Sequence, residues 1–399
     1  MTDDRPDRSP LPPWLFALLG TCLVLYTDDY VIAGILPELA ADLGVSEPTA
    51  GQLITVFSLT IAAAAPIAAV ALARTPRRRL FSCGLAVFIV ANAAATLVPD
   101  YPTMLALRVI AALAAASVTP SVFAFAAEHA PPERTGRFIA VVSLGVTGSV
   151  ALGVPVGTWI GGQLGWRATF GAMAVAGALA LIAVLLTLPR AEPDREVPVL
   201  REQVRTLRRA PITLGLGANC VLMTGSMMML TYLAPFLADT TTASVGQRAI
   251  TFSLSGIAGI AGIWLGGLAV DRWGADRTLA TGIGGIVASM LGLWLLWLAR
   301  PAPFAAVVAV GTVWGGLAFF NSPAIQARLF TLAGPVAPQA LALNTSGTYL
   351  GVASGGAVGG ALLATTGAGA LPLVSAALCA VALAMLGAAA SLTPTSDTL

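Results

Sequence analysis

Charge is what this sequence has least of. Only 10% of its 399 residues are Asp, Glu, Lys or Arg, against 57% that are hydrophobic. A soluble domain carries about 25% charged residues, so this chain cannot cover a water-facing surface of its own size. A soluble enzyme is thereby excluded. Lysine is absent altogether, and the single histidine, His129, follows Glu128 at the end of an apolar run. One histidine with no second ligand in view makes no metal site. Cys22, Cys83, Cys220 and Cys379 lie singly in apolar runs, with no CxxC pair. That argues against zinc and dithiol chemistry and leaves them as small apolar fillers. No Walker sequence, catalytic triad or dinucleotide fingerprint is present, so neither ATP drive nor a cofactor is expected. Nothing points to nucleic acid.

What the chain has instead is apolar length. A transmembrane helix needs about 20 apolar residues. Twelve such runs follow one another, over 14–36, 50–73, 80–98, 103–127, 138–160, 168–188, 211–237, 250–270, 278–298, 303–327, 339–363 and 369–390. They do not alternate polar and apolar residues as barrel strands would, and helix is the open-ended element that satisfies its own backbone in lipid. The expected fold is therefore all-α, with twelve spans in a lipid bilayer. Residues 1–13 are polar and Pro-rich, and no small-residue cleavage site follows the first run, so that run reads as a retained helix.

Arginine sets the orientation. With the N-terminus inside, 17 of the 21 Arg fall in inner segments, and only Arg167, Arg248 and Arg300 lie outside. Basic residues favour the cytoplasmic side, so both termini are expected there. Arg108 is left over, within a span.

Sliding the chain on itself by 198 residues superposes Pro37 on Pro235, and Arg74 and Arg79 on Arg272 and Arg277. It also superposes Gly153, Gly157, Gly161 and Gly162 on Gly351, Gly355, Gly359 and Gly360. Two six-helix halves in the same orientation follow, 14–188 and 211–390. A polar linker, 189–210, joins them, and tails 1–13 and 391–399 flank them. Parallel halves of this kind suit a secondary transporter with its substrate cavity between them, and a monomer suffices for alternating access.

Three motifs carry a family resemblance. Gly267-Leu-Ala-Val-Asp271-Arg272-Trp-Gly274-Ala-Asp-Arg277 resembles the G-x-x-x-D-R-x-G-x-x-R signature of the major facilitator superfamily, where it joins the second and third helices of a half. Gly267 should permit close helix contact, and Asp271 should latch the cytoplasmic side through a helix terminus or an Arg. The first-half counterpart keeps Arg74 and Arg78 but lacks the Gly and the Asp. In the fifth span, Gly145, Gly153, Pro155, Gly157 and Gly161 resemble the antiporter motif of proton-driven exporters. Small residues four apart also serve ordinary helix packing. Finally, Thr27-Asp-Asp29-Tyr30-Val-Ile-Ala-Gly34-Ile-Leu-Pro37-Glu resembles a pattern of bacterial sugar-efflux and chloramphenicol-resistance transporters, with Asp29 in place of the family Glu. The resemblance implies a drug:proton antiporter in the bacterial cytoplasmic membrane. It would export small amphipathic compounds such as an amphenicol, a sugar or a secondary metabolite. An uptake carrier or uniporter on the same fold is the alternative.

Inside the spans, ionisable residues reduce to Asp28, Asp29 and Arg108. A charge at the bilayer centre costs at least about 2.5 kcal/mol and normally faces a cavity and pairs. Asp29 precedes Pro37 by about 12 Å of helix, and Arg108 follows Pro102 by about 9 Å, so all three share one half of the membrane. Adjacent residues point about 100° apart on a helix. The expectation is Asp29 toward Arg108 and the cavity, with Asp28 second. A carboxylate there could carry a proton, with Arg108 opposing protonation when close, so that protonation and substrate binding compete; a static Asp–Arg bridge holding the first and fourth spans together is the plainer reading. The 198-residue offset places Met227 and Ala306 opposite Asp29 and Arg108, confining titrating chemistry to the first half. Candidate substrate-binding residues are Tyr30, Asn92, Asn219, Met223, Met227, Tyr232, Trp314, Asn321, Asn344 and Tyr349. Met223 and Met227 also fit a packed core.

Overall fold

The computed structural model describes residues 11–131, 134–189, 210–333 and 337–391. The expected linker and tails fall largely outside these. Among the described residues there is no strand. The helices are α1 Pro13–Asp42, α2 Glu47–Ala71, α3 Arg77–Ala95, α4 Tyr101–Glu128, α5 Thr135–Gly148, α6 Val154–Leu164 and α7 Trp166–Thr187. The second set comprises α8 Ala210–Thr231, α9 Leu233–Thr240, α10 Val245–Trp273, α11 Ala275–Leu298, α12 Phe304–Ala333, α13 Ala337–Thr365 and α14 Ala370–Ser391. A π-turn, Ser149–Gly153, joins α5 to α6 in one span, and Tyr232 separates α8 from the short α9. Among the described residues, twelve helices are long and apolar enough to cross a membrane. Large apolar side chains such as Val90, Trp264 and Leu186 face outward, which only a lipid surround makes tolerable.

Local chemistry explains where helices begin and turn. Ser46 caps α2 by accepting from the Thr49 amide, Asp100 caps α4 through Thr103, and Ser244 with Gln247 forms a reciprocal capping box at α10. At Asp100 the Thr103 hydroxyl and amide hold the carboxyl below its ordinary range. Gly274 turns α10 into α11 in a single residue at φ 78°, a backbone that a side chain would strain. This is the physical reason for the last glycine of the D-R-x-G signature. Its first-half counterpart is Pro76, and the turn there is longer.

In lipid, helices have no hydrophobic drive to associate, so close packing and polar contacts hold them together. Glycines supply the close packing. Gly153, Gly157 and Gly161 lie against Thr27, Val31 and Ile35 of α1. Their partners under the 198-residue offset, Gly351, Gly355 and Gly359, lie against Met223, Met228 and Tyr232 of α8 and its end. The sequence repeat is thus a repeat of packing. Gly145 completes the first row against the Leu19 carbonyl, and Pro155 is buried just past the π-turn.

The expected role of Gly267 is corrected. A Cβ there would meet no described atom within 4 Å, whereas one on Gly262 or Gly266 would strike the backbone carbonyls of Gly316 and Phe320 on α12. The close α10–α12 contact falls on a different face of the helix, because positions 262 and 266 share a face that 267 leaves by about 100°.

Helices α1–α7 and α8–α14 pack mainly among themselves, and α2 against α13 and α10 against the π-turn and α6 tie the two groups together. The end of the bundle bearing the α1–α2 turn, opposite the start of α1 and the end of α14, is closed. Arg248 pairs with Glu38, Tyr232 donates to the Gly356 carbonyl (2.8 Å) while filling the space at Gly51, and Val245 sits on Gly162. At the other end, α4 and α12 do not form a packed pair.

Gly262→Leu should lower the detergent melting temperature sharply, corresponding to about 1–3 kcal/mol of overpacking. Gly267→Ala should leave it nearly unchanged. Thermal unfolding of the purified variants checks both.

Candidate functional site

The three membrane-depth charges meet, but not as expected. Arg108 on α4 donates from Nη1 to Asp28 Oδ2 at 2.7 Å and from Nη2 to the Asp28 carbonyl at 2.9 Å. Asp28 is 0% exposed and Arg108 2%. The guanidinium lies 4.1 Å from the Phe57 ring centre and 5.9 Å from that of Phe170, so two aromatic faces add to the pairing. The expected partner, Asp29, is not the one that bonds. Axial depth is nearly the same for both carboxylates, and rotation decides between them. Asp28 turns inward to α3 and α4, beside Asn92, while Asp29 turns about 100° away toward Ser58 on α2 and Tyr349 on α13.

Asp29 is 1% exposed, and neither of its carboxylate oxygens has a hydrogen-bond partner. Tyr26 and Tyr30 stand one turn apart on α1, their ring centres 6.3 Å apart. Tyr349 is 5% exposed and reaches across from α13 to the hydroxyl of Tyr26. It belongs to the apolar cluster of the first group of helices although its own helix belongs to the second. Tyr30, Met223 and Met227 are half-buried on neighbouring faces of α1 and α8.

The other candidates divide. Asn92 is 2% exposed, donates to the Phe88 carbonyl at 3.1 Å and lines a narrow crevice with Arg108 and Phe170. Trp314 is buried with its indole N–H unbonded, and Asn344 is half-buried with an unbonded side-chain oxygen. Asn219 donates to Thr348 at 2.9 Å, linking α8 to α13. Asn321 donates to the Leu317 carbonyl and lies against Gly282 on α11, and its side-chain oxygen is unbonded. One candidate is placed elsewhere: Tyr232 is 0% exposed, and its hydroxyl is spent on the closure described above.

At the opposite end, Asp271, Arg272 and Arg277 are exposed, and Asp271 bonds to no described residue. The latch expected of it is not made here. Asp276 instead holds Arg328 at 3.0 Å, tying α11 to α12. In the first-half loop Arg74 is exposed, and Arg78 donates to the Leu185 carbonyl. The residue that the motif reading missed is Arg77. It is buried, donates to Ser121 at 2.7 Å and approaches Glu128 at 3.8 Å. Three successive arginines gave no sign of which one turns inward. Phe57, Ser58 and Tyr26 were missed for a similar reason, since apolar and hydroxyl residues in a span carry no positional signal.

The chain's relatives agree with this architecture. The family described as the Major Facilitator Superfamily matches residues 18–337, and the chain belongs to it. It is a multi-pass membrane transporter, not an enzyme. It is 32% identical over 346 residues to an MFS-type transporter of Bacillus subtilis (strain 168), YbcL, covering 87% of each chain. It is 32% identical over 381 residues to the chloramphenicol resistance protein of Streptomyces lividans, covering 94% of this chain and 95% of that one. The fold is similar to that of a D-xylose–proton symporter, with a TM-score of 0.76 at 17% identity, over 94% of this chain and 96% of that one.

Asp28→Asn strips a buried arginine of its counter-ion and should cost about 3–5 kcal/mol. Asp29→Asn removes no bond and should cost far less. Melting curves of the two variants, recorded side by side, check the assignment.

Proposed function

We propose that the protein is a proton-coupled exporter of small amphipathic compounds in the bacterial cytoplasmic membrane. The observation that carries this reading is Asp29, a buried carboxylate without a bonding partner beside the Arg108–Asp28 ion pair. A buried carboxylate left unbonded is stable only if its charge is neutralised, and a proton does this in the simplest way. The closed end, with Glu38 and Arg248, is then the periplasmic face, and the end bearing both termini is cytoplasmic. The two halves, 14–188 and 211–390, rock about the α2–α13 and α10–α6 contacts, joined by 189–210. Tyr30, Met223, Met227, Trp314, Asn344 and Tyr349 line the substrate path, and Asp271 with Arg272 latches the cytoplasmic end when it shuts. The printed name of the Streptomyces lividans relative supports export of an antibiotic. A proton symporter of the same fold keeps uptake as the second reading.

The cycle needs no further charge. In the cytoplasmic-open state Asp29 gives up its proton to the cytoplasm as substrate binds. After the halves rock outward, a proton from the periplasm takes Asp29 as substrate leaves, and the neutral site returns inward. Asp28 and Arg108 stay paired throughout and hold α1 against α4.

Expression in a susceptible strain should raise resistance to at least one amphenicol or other amphipathic antibiotic, and an uncoupler should restore accumulation. In inverted vesicles, Asp29→Asn should abolish proton-driven uptake of that compound. Proton-driven transport unchanged in that variant would exclude the coupling role. Cells that lose intracellular substrate on deletion of the gene would point to uptake instead.

A further inference from the structure

Arg167, Arg248 and Arg300 stand at the closed end of the bundle, and two of them are committed. Arg248 pairs with Glu38, and Arg167 pairs with Asp42. Arg300 holds no carboxylate among the described residues. It donates from Nη1 to the Trp297 carbonyl at 3.1 Å, and its guanidinium carbon lies 3.9 Å from the centre of the Trp297 ring. The carboxylates at this end are likewise committed, with one exception. Glu47 lies in the field of Arg248, and Asp100 caps α4. Asp239, at the end of α9, accepts the indole N–H of Trp297 at 2.6 Å and pairs with no described cation. One cation and one anion are thus left without an ionic partner, and both are exposed and stand on the same indole.

Their positions are fixed. The Trp297 ring fills the space over Gly369, where a Cβ would lie 2.4 Å from it. The Ala302 amide donates to the Thr240 carbonyl at 2.9 Å, which pins the α11–α12 turn to the end of α9. The first half holds the same three residue types in a different arrangement. There Trp166 and Arg167 both donate to Asp42, so the two charges neutralise each other directly. In the second half the indole stands between them instead. Along the same helix as Trp297, Leu291, Leu295 and Leu298 face outward in one row. Apolar surface in the hydrocarbon, an indole at its edge and an exposed charge of each sign match a phospholipid with a zwitterionic headgroup.

We propose that Arg300, Trp297 and Asp239 form a binding site for a phospholipid whose headgroup ends in a primary ammonium, phosphatidylethanolamine. Its phosphate takes Arg300, which has further N–H donors to offer, its ammonium takes Asp239, and its acyl chains lie along α11. An anionic headgroup meets Asp239 unfavourably, and a trimethylated ammonium has no N–H to donate to it. The bound lipid bridges the end of α9 and the α11–α12 turn and so reinforces the closed end. The leaflet follows from the proposed orientation, whereas the headgroup preference is independent of it and of the exporter reading.

The test is competition among equal amounts of phosphatidylethanolamine, phosphatidylcholine and phosphatidylglycerol with the same acyl chains, read by native mass spectrometry of the purified full-length protein in detergent. Wild type should retain phosphatidylethanolamine over the other two by about threefold or more, the size of an exposed charge pair. Arg300→Gln and Asp239→Asn should each remove the preference, and Arg300→Lys should keep it. Both positions are exposed, so the lipid-free melting temperatures of these variants should match wild type. Added phosphatidylethanolamine should raise the melting temperature of wild type more than that of Arg300→Gln or Asp239→Asn. Equal retention of the three lipids by wild type, phosphatidylglycerol retained as well as phosphatidylethanolamine, or a preference that survives in Arg300→Gln or in Asp239→Asn would overturn the proposal.

Discussion

A guanidinium cannot sit in hydrocarbon without a partner, and the arrangement of the first six spans follows from meeting that demand. Arg108 takes both the side chain and the carbonyl of Asp28 and lies against Phe57. Helices α1, α2 and α4 are thereby tied at one depth. Such a pair contributes little net stability, because desolvation of two ions offsets most of their attraction. Its strength lies in asymmetry, since removing one partner strands the other. The pair therefore fixes which way α1 is rotated. That rotation carries Asp29 toward Ser58 of α2 and toward Tyr349 of the second half.

Around this fixed point the bundle is held by shape. Thr27, Val31 and Ile35 form a ridge on α1, and Gly153, Gly157 and Gly161 form the groove that accepts it. The ridge lies on the same helix as the two aspartates, so the antiporter-type glycine series positions the charged site directly. The second half repeats the groove against α8 without the charges: the 198-residue offset puts Ser226 and Met227 at the places of Asp28 and Asp29. A duplicated scaffold has thus kept its packing in both halves and placed its titratable chemistry in one.

Much of this was legible from residue order. Twelve apolar runs marked twelve spans within a few residues, because lipid imposes both length and composition. The 198-residue offset matched glycines whose contacts turn out to be equivalent, because close backbone approach excludes every larger residue. Other features were not legible. Periodicity along a uniformly apolar helix does not say which side faces a neighbour, so Gly267 was mistaken for the contact that Gly262 and Gly266 make. Tyr232 reads as a cavity residue because polarity at membrane depth looks the same whether it serves a ligand or a helix junction. Arg77 was hidden among three arginines for want of any local signal.

The sequence by itself determined the solvent, the number of spans, the duplication and the inventory of buried charge. These depend on composition and spacing, and both are written in residue order. Only the tertiary structure decided how that inventory is shared. Asp28 and Asp29 are adjacent and chemically identical, and they differ only by the angle at which a helix presents successive side chains. Packing of α1 against its neighbours fixed that angle, and with it which carboxylate is spent on Arg108 and which is left free.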